Sequence, residues 1–421
     1  MAQTESARRA AVAGCVTGLA VGWNHTDIGA VADTFAEDFG VSLGVVGLLT
    51  AALFIVHAAC QLPAGRAVDA LGPGRLAVAA LCVIVGSNAL ALLGPSLSLG
   101  LAARAIMGLG TGLGFVAGIE YVRTESGSPI AQGVFGGSTI GGAGLALALV
   151  PRLSEPLGWR APFLGAIALA ILAALLVMLG PAGRRYSRSS PEGRQVQVSK
   201  AKGGSLYRLC LLSMASFGLC VVVGNWVVAL LAHGGGLDAG TAGAIGAAVL
   251  LGGIVGRPLG GAIERRFPRR NRLTVGVSFA AAAAGTGALA AGGPTLVSLA
   301  GALVLGLAAG VPFAPLFRAA ARVRPESPAT AVAVVNLASN VLIVVGVPLV
   351  GLSFALPGNG RLGIGAAALL WLTAILFVPG TRELDSGASR LVAIRIRRPA
   401  EAGSASAEAL LPYARPTRTE R

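Results

Sequence analysis

The sequence predicts an all-α integral membrane protein of twelve transmembrane helices, arranged as two six-helix bundles. Three observations carry this. Of 421 residues 54% are hydrophobic and only 12% charged, about half the ~25% charged residues of a typical soluble domain. The apolar residues run in blocks near the ~20 residues that a helix needs to cross a bilayer. The basic residues gather at alternate ends of those blocks.

In chain order the blocks place helices near residues 10–32, 41–62, 75–94, 97–121, 130–150, 157–180, 206–231, 239–263, 273–292, 295–320, 329–354 and 361–380. Inside hydrocarbon each backbone N–H and C=O must be paired within its own segment, which a helix does. The roughly ten-residue alternating segments of a barrel are absent. Arg8 and Arg9 before an apolar run resemble a signal peptide. No small-residue cleavage site follows, so this run is read as an uncleaved first helix.

The 62 glycines would weaken soluble helices but let helix backbones approach closely in a membrane. The spacings Gly108/Gly112, Gly110/Gly114, Gly133/Gly137, Gly137/Gly141 and Gly306/Gly310 are read as packing grooves. The five cysteines, Cys15, Cys60, Cys82, Cys210 and Cys220, lie in apolar runs without metal-type spacing. They are expected as buried thiols without disulfides.

Orientation follows from the arginines. A cytoplasmic N-terminus puts Arg8, Arg9, Arg66, Arg75, Arg123, Arg208, Arg257, Arg265, Arg266, Arg269, Arg270, Arg272, Arg318, Arg322 and Arg324 inside, and only Arg152, Arg160 and Arg361 outside. Both termini are then cytoplasmic, and the cell membrane is the expected location. The net charge of +15 is accounted for by this topology, so no nucleic-acid partner is inferred. Residues 1–180 form the first half and 206–380 the second. The polar stretch 181–205 is expected as a cytoplasmic linker and 381–421 as a disordered cytoplasmic tail.

The halves repeat. Pro63-Ala64-Gly65-Arg66-Ala67-Val68-Asp69-Ala70-Leu71-Gly72-Pro73-Gly74-Arg75 follows helix 2, and Pro258-Leu259-Gly260-Gly261-Ala262-Ile263-Glu264 opens the matching segment after helix 8. One constant offset aligns Pro63 with Pro258, Gly65 with Gly260, Asp69 with Glu264 and Arg75 with Arg270. Parallel repeats of this kind are a transporter architecture.

At these residues the chain resembles the major facilitator superfamily. Gly65-x-x-x-Asp69-x-x-Gly72-x-x-Arg75 resembles that family's motif A, and Glu264 belongs to its degenerate second copy. Arg104-x-x-x-Gly108-x-Gly110-x-Gly112 resembles motif B, and Gly158-Trp159-Arg160 the segment before helix 6. Helix 5 lacks the Gly-Pro-x-x-Gly-Gly ending of drug antiporters, since Val150 precedes Pro151. The resemblance implies two bundles that rock around a central cavity lined by helices 1 and 4. It also implies a cytoplasmic gate built from Gly65, Arg66, Asp69, Gly72 and Arg75 with Glu120, Glu125 and Glu264.

Charges at membrane depth need a reason. At about 1.5 Å per residue, Asp27 lies roughly 8–10 Å below the outer surface and Arg104 at a similar depth. The two are expected to neutralise each other across the cavity, as a pair broken by proton or substrate or as a fixed structural bridge. His25 is a proton-relay candidate, and His57 is read as packing. Asn24, Asn225, Trp226, Asn336 and Asn340 complete the candidate substrate and proton site. Asn336 and Asn340 share one helix face.

Two functions stay open: proton-coupled transport of a small polar or anionic solute, favoured by Arg104, and proton-driven efflux of lipophilic drugs, favoured by Asp27. No paired-carboxylate or nucleophile–base constellation supports an enzyme, and no phosphate-binding loop supports ATP-driven transport. No cofactor or metal is expected. The expected partners of a monomeric chain are substrate, proton and lipid bilayer.

Overall fold

The computed structural model describes residues 2–126, 129–180, 203–323, 328–380 and Leu384. The expected linker 181–205 and tail 381–421 fall almost wholly outside them. The described residues are helical, with no strand among them. The first half comprises α1 (Ala2–Trp23), the short α2 (Ala32–Phe39), α3 (Leu43–Leu71), α4 (Pro73–Ala91), α5 (Leu97–Ser126), α6 (Pro129–Leu157) and α7 (Ala161–Met178). The second comprises α8 (Gly203–Ser213), α9 (Leu219–Gly235), α10 (Ala239–Arg266), α11 (Asn271–Ala291), α12 (Thr295–Gly310), α13 (Phe313–Val323), α14 (Pro328–Leu352) and α15 (Arg361–Ile375).

Among the described residues, nine stretches are long and apolar enough to cross a membrane. One of them, Val134–Met178, spans both α6 and α7, and α15 is a shorter apolar helix. Large apolar side chains such as Ile55, Leu175, Leu296 and Leu369 are exposed along the helices, as a lipid-facing surface requires.

Several helices depart from the sequence expectation, each for a local reason. Helix 1, expected over 10–32, stops at Trp23 and gives way to a turn before a 3₁₀ segment at Gly29–Val31. Helix 7 is interrupted by a π-turn, Met214–Gly218. Helix 10 breaks around Val311 and Pro312 into α12 and α13; proline has no N–H to continue the ladder. The motif A segment is not a loop: α3 runs on to Leu71, and Gly72 alone, at φ +81°, turns the chain into α4. Only a residue without Cβ takes that backbone freely. Asp238 caps α10, and hydrogen bonds from Thr241 hold this solvent-facing carboxyl below the usual carboxylate range.

Packing uses the small-residue grooves. A Cβ on Gly108 would collide with the Leu53 carbonyl of α3, and one on Gly306 would stand 2.5 Å from the Val249 carbonyl of α10. Such contact distances leave room only for hydrogen. Of the cysteines, Cys220 alone is buried; Cys82 is exposed on its helix and Cys15, Cys60 and Cys210 are partly covered. That corrects the expectation of five buried thiols, because an apolar block in a membrane has a lipid side as well as a core side. All five are free.

Alternation of helix direction gathers Arg66, Arg75, Arg123, Arg208, Arg265, Arg266, Arg269, Arg270, Arg272, Arg318 and Arg322 at exposed helix ends on one face. Arg152, Arg160 and Arg361 lie at the other ends. These are called the basic and the opposite face below. The halves meet along α6 and α10, along α3 and α14, and where the Gly29–Val31 turn abuts α9.

Candidate functional site

The polar run after Trp23 cannot stay helical because its side chains and carbonyls are taken up by neighbours. Trp23 Nε1 donates to the Pro162 carbonyl (3.0 Å) and Thr26 Oγ1 to the Ala143 carbonyl (2.7 Å). Arg104, from α5, does most of the holding. Its Nη1 donates to both oxygens of Asp27 (3.0 and 3.3 Å), its Nη2 to the Asn24 carbonyl (2.7 Å) and its Nε to the Leu49 carbonyl (3.3 Å). Asp27 Oδ1 also accepts from the Ile28 N–H at 2.9 Å. Both side chains are sealed from solvent, at 1% and 0% exposure. The structure therefore brings Asp27 and Arg104 together, but inside the first half, and neither lines the cleft described below. Arg104 also clamps the carbonyl that the helix end leaves unpaired. That corrects the expectation of a pair spanning the cavity: the break in helix 1 folds Asp27 inward.

The amide candidates are engaged too. Asn24 donates to the Ala20 carbonyl (2.8 Å) and accepts from Asn88 (3.1 Å). Asn225 donates to the carbonyls of Val221 (2.9 Å) and His25 (3.4 Å) and accepts from Thr50 (3.3 Å), so it ties α9 to the first half. Trp226 is buried, donates to the Val347 carbonyl (2.8 Å) and packs on Phe354; it has no face free for a ligand. Asn336 donates to Gln61 Oε1 (3.3 Å), and Gln61 Nε2 meets His57 Nε2 (3.0 Å), whose Nδ1 meets Thr111 (3.0 Å). This polar chain crosses from α5 through α3 to α14. Asn340 is buried, and its Nδ2 has no partner. Of the face expected for Asn336 and Asn340, Asn336 is tied to the first half through Gln61, while the Asn340 amide is left without a partner.

A cleft of about 530 Å³, counted to its open mouth, lies between the halves. His25, Thr139 and Ile140 form one wall; Ser216, Cys220, Leu250, Arg257 and Phe313 belong to the other. Of the candidate residues from the sequence, only His25 borders it. The ring of His25 packs against Phe54 (4.9 Å) and edge-on to His57 (5.2 Å), and its buried Nε2 has no hydrogen-bond partner. Arg257 was grouped with the cytoplasmic arginines by sequence, but it projects from the body of α10 onto the cleft. Its guanidinium carbon lies 4.1 Å from the centre of the Phe313 ring and 5.4 Å from that of Phe217. Such cation–π contacts contribute on the order of 1 kcal/mol. No carboxylate or carbonyl partners it among the described residues.

The halves are drawn together at the opposite face. A Cβ on Gly29 would collide with the Asn225 carbonyl, and one on Gly47 would stand 2.9 Å from Pro348 Cα. His233 Nε2 of α9 lies 2.8 Å from Asp33 Oδ1 of α2, with both side chains 37% exposed. The contact is an ion pair when the imidazole is protonated and a hydrogen bond otherwise. An exposed pair of this kind is worth at most about 1 kcal/mol. Asp33→Asn is therefore expected to shift the balance between closed and open opposite face by no more than about five-fold. Distance distributions between spin labels on α2 and α9 would read this; a wholesale opening would show the bridge to be far stronger than its exposure allows.

The residues expected to form the gate lie at the basic face. Glu120 pairs with Arg123 of its own helix (2.7 Å), and Glu264 pairs with Arg318 of α13 (2.6 Å), within the second half. Gly65, Arg66, Asp69 and Arg75 are exposed, while Gly72 and Glu125 are partly covered.

A family model described as Major Facilitator Superfamily matches residues 11–347. No curated protein sequence matches the chain significantly. Among solved structures, a D-xylose–proton symporter superposes with a TM-score of 0.71 at 16% identity, covering 89% of this chain and 98% of that one. The inward-open xylose transporter XylE from E. coli gives 0.71 at 15% identity over the same shares. The nucleoside transporter NupG gives 0.68 at 12% identity, covering 88% and 98%. At these identities the likeness is one of fold.

Proposed function

The chain belongs to the major facilitator superfamily, and from that premise we propose that it is a secondary active transporter carrying a small polar or anionic solute across the cell membrane, coupled to the proton. The observation that carries this reading is the cleft walled by α6 and the turn after α1 on one side and by α9, α10, α12 and α13 on the other. Rocking of two six-helix halves about such a cleft exposes it alternately to each side. Under the positive-inside rule the basic face is cytoplasmic, as are both termini. The contacts at the opposite face then describe a state closed to the outside. His25 is the proposed proton carrier, being the histidine on the cleft wall with a free ring nitrogen. Motif A and Glu264, at the basic face, would remake contacts when the cleft turns outward.

The apolar walls also suit a drug-efflux reading. Against lipophilic cations stands Arg257, whose positive charge faces the cleft.

The test uses purified protein in vesicles with trapped pyranine, to which carboxylates, sugars, nucleosides and lipophilic cations are added one at a time. At least one solute is expected to drive proton movement that an uncoupler abolishes. Solute exchange without proton movement would remove the coupling, and no exchange by any class would remove the transporter reading.

A further inference from the structure

We infer that the cleft is a binding site for a monocarboxylate with an apolar body, anchored by Arg257. The inference rests on the transporter reading for its physiological use and deepens it by naming the solute class.

Arg104, the arginine that sequence alone offers to an anion, is not available. Its donors are taken by Asp27, Asn24 and Leu49, and its charge is matched within a sealed pair. Arg257 is the converse. It lies nine residues before the end of α10 at Arg266, some ~13 Å into the span at 1.5 Å per residue. A charge at that depth is expected to be paired, yet among the described residues its guanidinium lies over two phenyl rings, with the Cys220 thiol also on this wall and no carboxylate or carbonyl partner. The rings hold the guanidinium without using up its N–H donors.

The other polar groups on the wall narrow the ligand. Thr139 Oγ1 donates to the Phe135 carbonyl (3.2 Å) and Ser216 Oγ to the Ala309 carbonyl (2.7 Å), so neither hydroxyl has a proton left to give. One donor group remains for a ligand, the Arg257 guanidinium; His25 Nε2 also lacks a partner but is itself covered. That suits one carboxylate. The rest of the ligand would meet Ile140, Val221, Leu250 and the two phenyl rings. A sugar or nucleoside would leave most of its hydroxyls without partners on such walls, at a cost for each. The cleft chemistry therefore departs from that named for the solved structures of similar fold.

The experiment is thermal unfolding of the full chain in detergent with benzoate or phenylacetate, against benzamide as the uncharged isostere, D-xylose and tetraphenylphosphonium. The carboxylates are expected to raise the melting temperature with saturable dependence, and the others not. Arg257→Gln should weaken benzoate about 10- to 100-fold, the range for a lost hydrogen bond to a charged group, and Arg257→Lys should restore part of it. Benzamide matching benzoate, an unchanged affinity in Arg257→Gln, or no shift with either carboxylate would overturn the inference. If Arg257→Gln does not fold, the benzoate–benzamide comparison on the unaltered protein decides alone. Binding without any solute exchange in vesicles would instead count against the transporter reading and leave the anion site standing. Exchange of sugars or cations, unaltered in Arg257→Lys, would do the reverse.

Discussion

Arg104→Ala is expected to remove most of the folded protein. Truncation leaves the Asp27 carboxylate buried with only backbone N–H donors, that of Ile28 among them, and it frees the Asn24 and Leu49 carbonyls in a dry interior. Breaking a buried pair from one side costs about 3–5 kcal/mol, against a typical total stability of 5–15 kcal/mol. Removing both charges with matched apolar volume, as in Asp27→Leu with Arg104→Met, should cost less than Arg104→Ala alone, because no unpaired ion remains. Fluorescence-detected size exclusion after a heating series would measure all three variants. A single variant that melts with the unaltered protein would show that Asp27 is protonated or solvated and the clamp is dispensable.

The second large effect is expected at His25. Histidine changes charge between pH 5 and 8 when unperturbed, and His25 is on the cleft wall with Nε2 free. His57 has both ring nitrogens engaged, by Thr111 and Gln61. Its contact with His25 is edge-on ring packing. His25→Gln should therefore bring gradient-driven accumulation in vesicles down to simple equilibration, while exchange of solute across the membrane persists. Asp27→Asn separates the two coupling ideas. A broken Asp27–Arg104 pair as the coupling step predicts that this variant loses its pH dependence. Coupling at His25 predicts that a correctly folded Asp27→Asn keeps it. Uphill accumulation by His25→Gln would end the His25 assignment.

The class of fold was legible because hydrophobic block length and arginine placement are set directly by the bilayer. The meeting of Asp27 with Arg104 was legible for the same reason, since two opposite charges at similar depth need each other. Arg257 was not found, although the signal was present. It lies six residues inside the expected end of helix 8 and four after Gly253, so it shares the cleft-facing side of that helix. Counting it with the cytoplasmic arginines hid its depth. The break at Pro312 was missed because Pro63, Pro151, Pro258 and Pro348 sit inside unbroken helices, so a proline alone does not distinguish the two cases. The one after Trp23 was announced only by a polar run, Asn24 to Asp27, that also reads as a ligand site. Trp226 and the paired asparagines show the limit of composition: an amide that binds a solute and one that ties two helices have the same pattern, and only the partner's position tells them apart.

The π-turn at Met214–Gly218 has a consequence for reading the chain. A π-turn takes one more residue than an α-turn, and each residue of an α-helix advances about 100° around its axis. Faces counted forward from α8 therefore arrive in α9 about 100° out of phase. A straight helical wheel through 203–235 would misplace Cys220, Val221 and Asn225 relative to the cleft and to His25. Loss of a single residue within 214–218 would restore a regular helix and turn α9 by that angle, carrying Asn225 off Thr50 and the His25 carbonyl together. In this span the sequence tolerates substitution more readily than a change of length.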